Sequence, residues 1–280
     1  MSNASAGLFE TDAPAGIAAE ILAAAEEFFA LPAEEKDQVH IRRSPHFRGY
    51  SVMHNERDWR EQIHFARETA PGTGGGYAQL AGPNLWPAAP GSRWRELVLD
   101  YLHQTALVGQ RLLRDLGLPD PPEPYLLLKM ICYHPQPSSG DPRSGVAPHC
   151  DWSWLTLLLQ DATGGLEALD REWIPVDPRP GKLSVNLGEI AEIATDARLR
   201  AVPHRVLNPS RQRQRISIPV FLCPPLDGYV PANARPLAVS EGHVHRVRNP
   251  ALPQGPFHFG ASEWRRKGEG QWCWRGECLR

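Results

Sequence analysis

The sequence predicts a mainly β protein of the α+β class, a jelly roll flanked by helices on its N-terminal side. Three observations lead there. After Pro124, seven short runs rich in Leu, Val and Ile are separated by Gly, Pro, Asp and Asn, as expected of short strands joined by turns. Before it, two stretches repeat apolar residues at helical spacing. Pro 28 and Gly 24 in 280 residues are about 19% against an average near 12%, which favours many short elements. Helices first and strands afterwards exclude an alternating βαβ arrangement.

In chain order, Ile17, Ile21, Leu22, Ala25, Phe28 and Phe29 mark a helix over 17–31 that Pro32 stops. A longer one is expected over 92–116, with Leu97, Tyr101, Leu107, Val108 and Leu112 on one side and Gly117 as its cap. The glycine run at 72–76 lies between them. No strand precedes it and no Lys-Ser/Thr follows, so it reads as a flexible loop and not a phosphate loop. Strands are expected over 125–133, 154–160, 166–169, 173–176, 183–187, 202–207 and 214–223, with a short helix over 189–197. Three regions result: a helical region, 1–123, packing on the barrel; the jelly-roll core, 124–228; and a proline-rich, then charged and tryptophan-bearing tail, 229–280.

Charge and composition limit the partners. Thirty Lys+Arg against 32 Asp+Glu leave a net charge of −2, which provides no basic field for nucleic acid. No run of 18 apolar residues offers a membrane span, and residues 1–12 lack the basic start and apolar stretch of a signal peptide. A cytoplasmic protein acting on a small-molecule substrate is the expectation. Cys132, Cys150, Cys223, Cys273 and Cys278 are scattered without CxxC spacing, so reduced thiols are expected, with neither a disulfide framework nor a structural zinc site.

The chemistry concentrates in one ordered set. His149-Cys150-Asp151 places an imidazole and a carboxylate two apart, on one face if the segment is extended. Composition alone gives about one such triplet in every two chains of this make-up, and His54-Asn55-Glu56 and His243-Val244-His245 offer similar pairs. His204, 55 residues on, opens another strand-like run. An ordinary surface or core histidine is the competing reading. Two imidazoles and a carboxylate suit a facial Fe(II) site with open positions. Arg215 and Ser217 share the face opposite Ile216, Ile218, Val220 and Leu222, where a guanidinium beside a hydroxyl suits a carboxylate. Each motif alone is weak, but their order on strands of one jelly roll is a rare coincidence.

At these residues the chain resembles the isopenicillin N synthase-like group of Fe(II)- and 2-oxoglutarate-dependent oxygenases. Pro148-His149-Cys150-Asp151, Gly164-Gly165-Leu166, Val185-Asn186-Leu187-Gly188, Pro203-His204-Arg205-Val206-Leu207-Asn208-Pro209 and Arg215-Ile216-Ser217-Ile218-Pro219 carry the C-terminal part of that resemblance. Phe28-Phe29-Ala30-Leu31-Pro32, Arg48-Gly49-Tyr50 and Gly82-Pro83-Asn84-Leu85-Trp86-Pro87 carry the N-terminal part, so that it covers residues 7–225. The resemblance implies a double-stranded β-helix in which His149, Asp151 and His204 hold Fe(II). It implies that Arg215 and Ser217 bind the distal carboxylate of 2-oxoglutarate, that Tyr133 lines the co-substrate pocket, and that O2 is consumed. A small molecule would be hydroxylated, desaturated or cyclised while 2-oxoglutarate is decarboxylated to succinate.

Arg48, Tyr50, Glu61 and His64 lie where the family faces its substrate, each with a structural role as the alternative. Trp152 and Trp154, flanking Asp151, are substrate-side candidates beside the plainer reading of burial in a β face. Cys150 stands where the family usually has Thr. The chain also starts past the family's first strand, which leaves a sheet edge that the tail, or a homodimer interface, is expected to cover. An Fe(II) oxidase of the same fold without 2-oxoglutarate, a silent binding module and a zinc hydrolase are the alternatives. Asp151 disfavours a halogenase, and Arg215 would have no task in a hydrolase.

Overall fold

Short apolar runs broken by turn residues become strands in the computed structural model, which describes residues 7–55, 57–89, 91–136, 144–231 and 255–268. The strands are β1 (Leu8–Asp12), β2 (Gly49–His54), β3 (Trp59–Ala66), β4 (Tyr125–Tyr133), β5 (Val146–His149), β6 (Leu155–Gln160), β7 (Leu166–Leu169), β8 (Trp173–Pro175), β9 (Lys182–Leu187), β10 (His204–Val206), β11 (Arg215–Cys223), β12 (Tyr229–Val230) and β13 (Phe257–His258). The helices are α1 (Ala18–Phe29), α2 (Ala33–Gln38), α3 (Ser92–Asp115), α4 (Glu189–Ala194) and α5 (Phe259–Gly268). A large antiparallel sheet runs β1-β9-β6-β11-β4-β3-β2, and a smaller one runs β5-β10-β7-β8. Ile131 and Tyr133 of the large sheet pack against Val146, Leu166 and Val206 of the small one. The two sheets thus face each other as a jelly roll.

Alternation along β11 and β4 divides the large sheet into two faces. Ile216, Ile218, Val220 and Leu222 turn outward with Leu128, Met130 and Cys132 into one apolar core with α1 and α3. On α1, Ile21, Ala24, Ala25, Phe28 and Phe29 form the buried stripe. On α3, Gly109 lets the helix settle close, because a Cβ there would lie 3.0 Å from Leu222 Cδ2 and 3.1 Å from Leu157 Cδ1. Gly117 ends α3 in the left-handed region, φ 66°, with Leu118 N donating to Leu113 O in the manner of a helix C-cap. The inner face includes Arg215 and Ser217 from β11, Lys129, Ile131 and Tyr133 from β4, and Thr156, Leu158 and Gln160 from β6.

The helical reading of 1–123 leaves out β2 and β3, which join the large sheet together with β1. Their pattern is hard to see because β3 carries Glu61 outward with Ile63 and Phe65, and Arg60, Gln62 and His64 inward, so neither face is uniformly apolar. The short β5 that ends on His149 is also absent from that reading.

β1 pairs with β9 and stands last in the sheet order. Its Glu10 and Asp12 meet Arg179 at 3.1 Å and Lys182 at 2.6 Å. Charged side chains of this kind discourage strand addition at an open edge. The described part of the tail lies elsewhere. Phe257 stacks on Trp152 with centroids 5.6 Å apart, Phe259 meets Tyr125, and Trp264 meets Phe47 edge-on. Helix α5 packs on the 3-10 turn Gly76–Leu80. His243, His245, Trp272, Trp274, Cys273 and Cys278 lie outside the described residues.

Candidate metal centre

His149 closes β5 and His204 opens β10, and the two are direct partners across the strands. The register shifts immediately after His204, an irregularity of the kind that re-aims side chains next to sites. Each imidazole is oriented by its own strand: His149 Nδ1 pairs with Ala147 O and His204 Nδ1 with Val202 O, both at 2.9 Å. With Nδ1 as the donor, each Nε2 keeps its lone pair, as metal-binding histidines require. Both point at Asp151: His149 Nε2 is 3.6 Å from Oδ1 and His204 Nε2 is 3.7 Å from Oδ2. The ligand atoms of the three residues lie within 4.8 Å of one another.

Asp151 is 5% exposed. Its Oδ2 accepts from Thr156 Oγ1 at 2.5 Å and from Asn186 Nδ2 at 2.9 Å. Burial opposes its charge, but the two imidazoles and the Thr156 hydroxyl outweigh burial and hold the carboxyl well below the usual carboxylate range. Burial lowers the pKa of His204, against the pull of Asp151, which favours the neutral, ligating form of that ring. The result is a preformed anion with two nitrogen donors, a set that fits a divalent ion of the Fe(II) type with coordination positions to spare.

At the start of β11, Arg215 is fully buried. Its Nε donates to Gly164 O at 2.5 Å and its Nη2 to Gln160 Oε1 at 2.7 Å. The guanidinium carbon lies 4.8 Å from the centre of the Tyr133 ring. Nη1 is buried without an acceptor in hydrogen-bonding geometry. Such an orphan on a buried cation is costly unless a ligand supplies the anion. A carboxylate end of 2-oxoglutarate is the right chemistry for it. Ser217, also buried, follows on the same face, in register with Ile131 and Gln160.

The substrate-side candidates separate. His64 is on the inner face, fully buried, with burial pushing its pKa well below the usual imidazole range. Trp152 lies between Phe257 and the guanidinium of Arg266, which is 4.8 Å over its ring, and Trp154 is buried in the large apolar core. Arg48 is spent on the scaffold, donating to His46 O, Leu80 O and the Tyr125 hydroxyl. Tyr50 donates to Glu61 Oε2 at 2.6 Å on the helix side, together with Lys36 Nζ at 2.7 Å.

Glu61, Cys132 and His134 form a second group of three potential ligands within 4.8 Å of one another. Its electrostatics are opposite to those of the first. Lys36 and Tyr50 already occupy Glu61 Oε2, and burial together with the Glu61 charge pushes the Cys132 thiol up to about 12, so that thiol keeps its proton. Thr156, Asn186 and Gln160 are the site residues that motif reading left without a role. Their signal is a polar side chain at even spacing inside an apolar strand.

Residues 123–224 match the 2OG-Fe(II) oxygenase superfamily, and residues 9–89 match the non-haem dioxygenase in morphine synthesis N-terminal family. The chain is 30% identical over 235 residues to the 2-oxoglutarate-Fe(II) type oxidoreductase hxnY of Emericella nidulans, a match that takes in 74% of this chain and 67% of that one. It is 32% identical over 233 residues to gibberellin 20 oxidase 2 of Oryza sativa subsp. indica, covering 77% and 58% of the two chains. Its fold superposes on a full-length Neurospora crassa protein solved in complex with alpha-KG and thymine, with a TM-score of 0.74 at 20% identity over 94% of this chain and 87% of that one. Thus the chain spans about two thirds of the first curated relative and less of the second.

Proposed function

This chain belongs to the 2OG-Fe(II) oxygenase superfamily, and on that premise we propose that it is an Fe(II)- and 2-oxoglutarate-dependent dioxygenase of a small-molecule metabolite. The observation that carries the reading is the convergence of two Nε2 atoms and a carboxylate in a jelly roll that also buries an arginine with one edge unfilled. His149, Asp151 and His204 would hold the metal, and Arg215 with Ser217 would hold the distal carboxylate of 2-oxoglutarate. When bound, the pair supplies an O2-driven oxidation in which 2-oxoglutarate is decarboxylated to succinate and a substrate C–H bond is attacked.

The protein's own contribution is positioning and charge. Ala147 O and Val202 O fix the tautomer and tilt of the two imidazoles. Thr156 and Asn186 keep Asp151 ionised and aimed. Gly164 O and Gln160 hold the guanidinium plane still, so that Nη1 offers a pre-oriented donor in a water-poor interior, where charge-assisted bonds are strongest. The Tyr133 ring lies against that guanidinium, its centre 4.8 Å from the guanidinium carbon. An iron oxidase without 2-oxoglutarate would have to fill Arg215 Nη1 with a carboxylate of its own substrate.

Incubating the chain with Fe(II), O2 and 2-oxoglutarate tests this. Succinate should form, faster when a productive metabolite is added, and Asp151→Ala should abolish it. Absence of succinate under all metabolites, with iron bound, would refute the co-substrate.

A further inference from the structure

Gln62 stands on the inner face of β3, 1% exposed, with Ile131 of β4 as its partner across the sheet. Ile131 pairs in turn with Ser217, just as Arg60 pairs with Tyr133 and Tyr133 with Arg215. Arg60 and Gln62 therefore occupy the same two rows of the sheet as Arg215 and Ser217, two strands away, about 9.6 Å at ~4.8 Å per strand. The pairs lean apart, Arg215 to Gln160 of β6 and Arg60 with Gln62 to Met53 of β2. The second pair thus serves a different group from the one held at Arg215. It follows directly on a tie to the metal strand: Asp58 bridges Val146 of β5, Ala147 N donates to Arg57 O, and Ala147 O orients His149.

The free edges of the two side chains are complementary. The Met53 sulfur accepts from Arg60 Nη2 at 3.6 Å and from Gln62 Nε2 at 3.3 Å, so both tips meet at one atom. A thioether has no proton to give, so the nitrogen of Gln62 faces it and Oε1 turns away. Gln62 Oε1 and Arg60 Nε are both buried without a hydrogen-bond partner. One is an acceptor, the other a donor, and they do not satisfy each other. Such orphans are costly inside a protein unless a ligand completes them. The charge of Arg60 is already matched by Asp58 at 3.0 Å, so the completing group need carry none. An uncharged group with N–H and C=O on one edge fits both, the N–H donating to Gln62 Oε1 and the C=O accepting from Arg60 Nε. An open-chain secondary amide is trans and points the two in opposite directions, whereas a lactam ring holds them cis on one edge.

We propose that Gln62 and Arg60 are specificity-determining residues of the reaction, receiving the N–H and C=O edge of a substrate that carries a cis amide of the lactam kind. The proposal rests on the metal-centre reading above.

The test uses the full chain loaded with Fe(II) and saturating 2-oxoglutarate, kept anaerobic, with bound iron and 2-oxoglutarate quantified in parallel. Calorimetric titrations compare δ-valerolactam and ε-caprolactam with their N-methyl counterparts, which keep the C=O and lose the N–H. The lactams should bind about tenfold more tightly, the scale of one buried hydrogen bond. That ratio should fall to about one in Gln62→Met, which removes the acceptor. Arg60→Lys keeps a cation for Asp58 but removes Nε, and should weaken lactam and N-methyl lactam alike by about tenfold. Should either variant fail to load iron and 2-oxoglutarate, the parent's preference for N–H over N-methyl decides alone. With iron and 2-oxoglutarate bound, no binding of either lactam, equal binding of lactam and N-methyl lactam, or an unchanged ratio in Gln62→Met overturns the proposal. Failure of the parent chain to load iron and 2-oxoglutarate overturns the metal-centre reading, and the proposal with it.

Discussion

Replacing Arg215 by lysine keeps a positive charge in the barrel but removes the planar fork. In the native chain two edges of the guanidinium are committed to the protein, Nε to Gly164 O at 2.5 Å and Nη2 to Gln160 Oε1 at 2.7 Å, and Nη1 is the edge left for a ligand. A lysine ammonium donates from a single nitrogen and cannot serve Gly164, Gln160 and a carboxylate along the directions that a rigid plane sets. At least one charge-assisted hydrogen bond is lost, about 1.5–3 kcal/mol, which is roughly tenfold to a hundredfold or more in the dissociation constant. The assay is an anaerobic calorimetric titration of the Fe(II)-loaded variant with 2-oxoglutarate. Thermal unfolding and iron content serve as controls. An Arg215→Lys protein that folds, holds iron and binds 2-oxoglutarate within about twofold of the parent would show that the carboxylate is held elsewhere.

Other consequences are as specific. Thr156→Val removes the 2.5 Å hydrogen bond to Asp151 and should lower Fe(II) affinity about tenfold to a hundredfold while Thr156→Ser restores it; unchanged affinity in the valine variant would remove Thr156 from the site. The Lys129 ammonium is pushed from 10.5 down to about 7 in the folded chain, so between those values the unfolded chain binds the extra proton and folding becomes more favourable as pH rises. Relative to Lys129→Met, the parent's stability in denaturant titrations should therefore increase from pH 7 towards 10 by at most about 1.4 kcal/mol per pH unit, and a flat difference would contradict the burial of that charge. Glu10→Val with Asp12→Val strips of its charges the β1 edge, which no further strand pairs among the described residues, and should promote self-association in sedimentation velocity; a double variant that sediments as the parent does would show that the edge is protected in another way.

The jelly roll was legible because β4, β6, β9 and β11 are buried on both faces and so read as dense Leu, Val and Ile runs, and because α1 and α3 each keep an apolar stripe. Strands β2 and β3 were not, since they carry Arg60, Gln62 and His64 into the interior and Glu61 outward, which erases the apolar alternation. In the candidate site, His149, Asp151, His204 and Arg215 were visible through order and spacing along the chain. Thr156 and Asn186 were not, because their task is defined by where Asp151 sits in space. Tyr50 and Glu61 were expected on the substrate side for their place in the N-terminal half, but strand alternation turns them to the helix face, where Lys36 joins them. Lys129 gave no signal in sequence beyond one polar residue in the middle of Tyr125–Tyr133.

The central claim is that His149, Asp151 and His204 form one Fe(II) centre that accepts 2-oxoglutarate. Anaerobic equilibrium dialysis of the chain against Fe(II) and 2-oxoglutarate, with both measured in the protein fraction, tests it most directly. The account predicts one iron and one 2-oxoglutarate per chain, with iron lost in His204→Ala although the fold persists. Iron retained at one per chain in His204→Ala, with the parent's affinity, would contradict it.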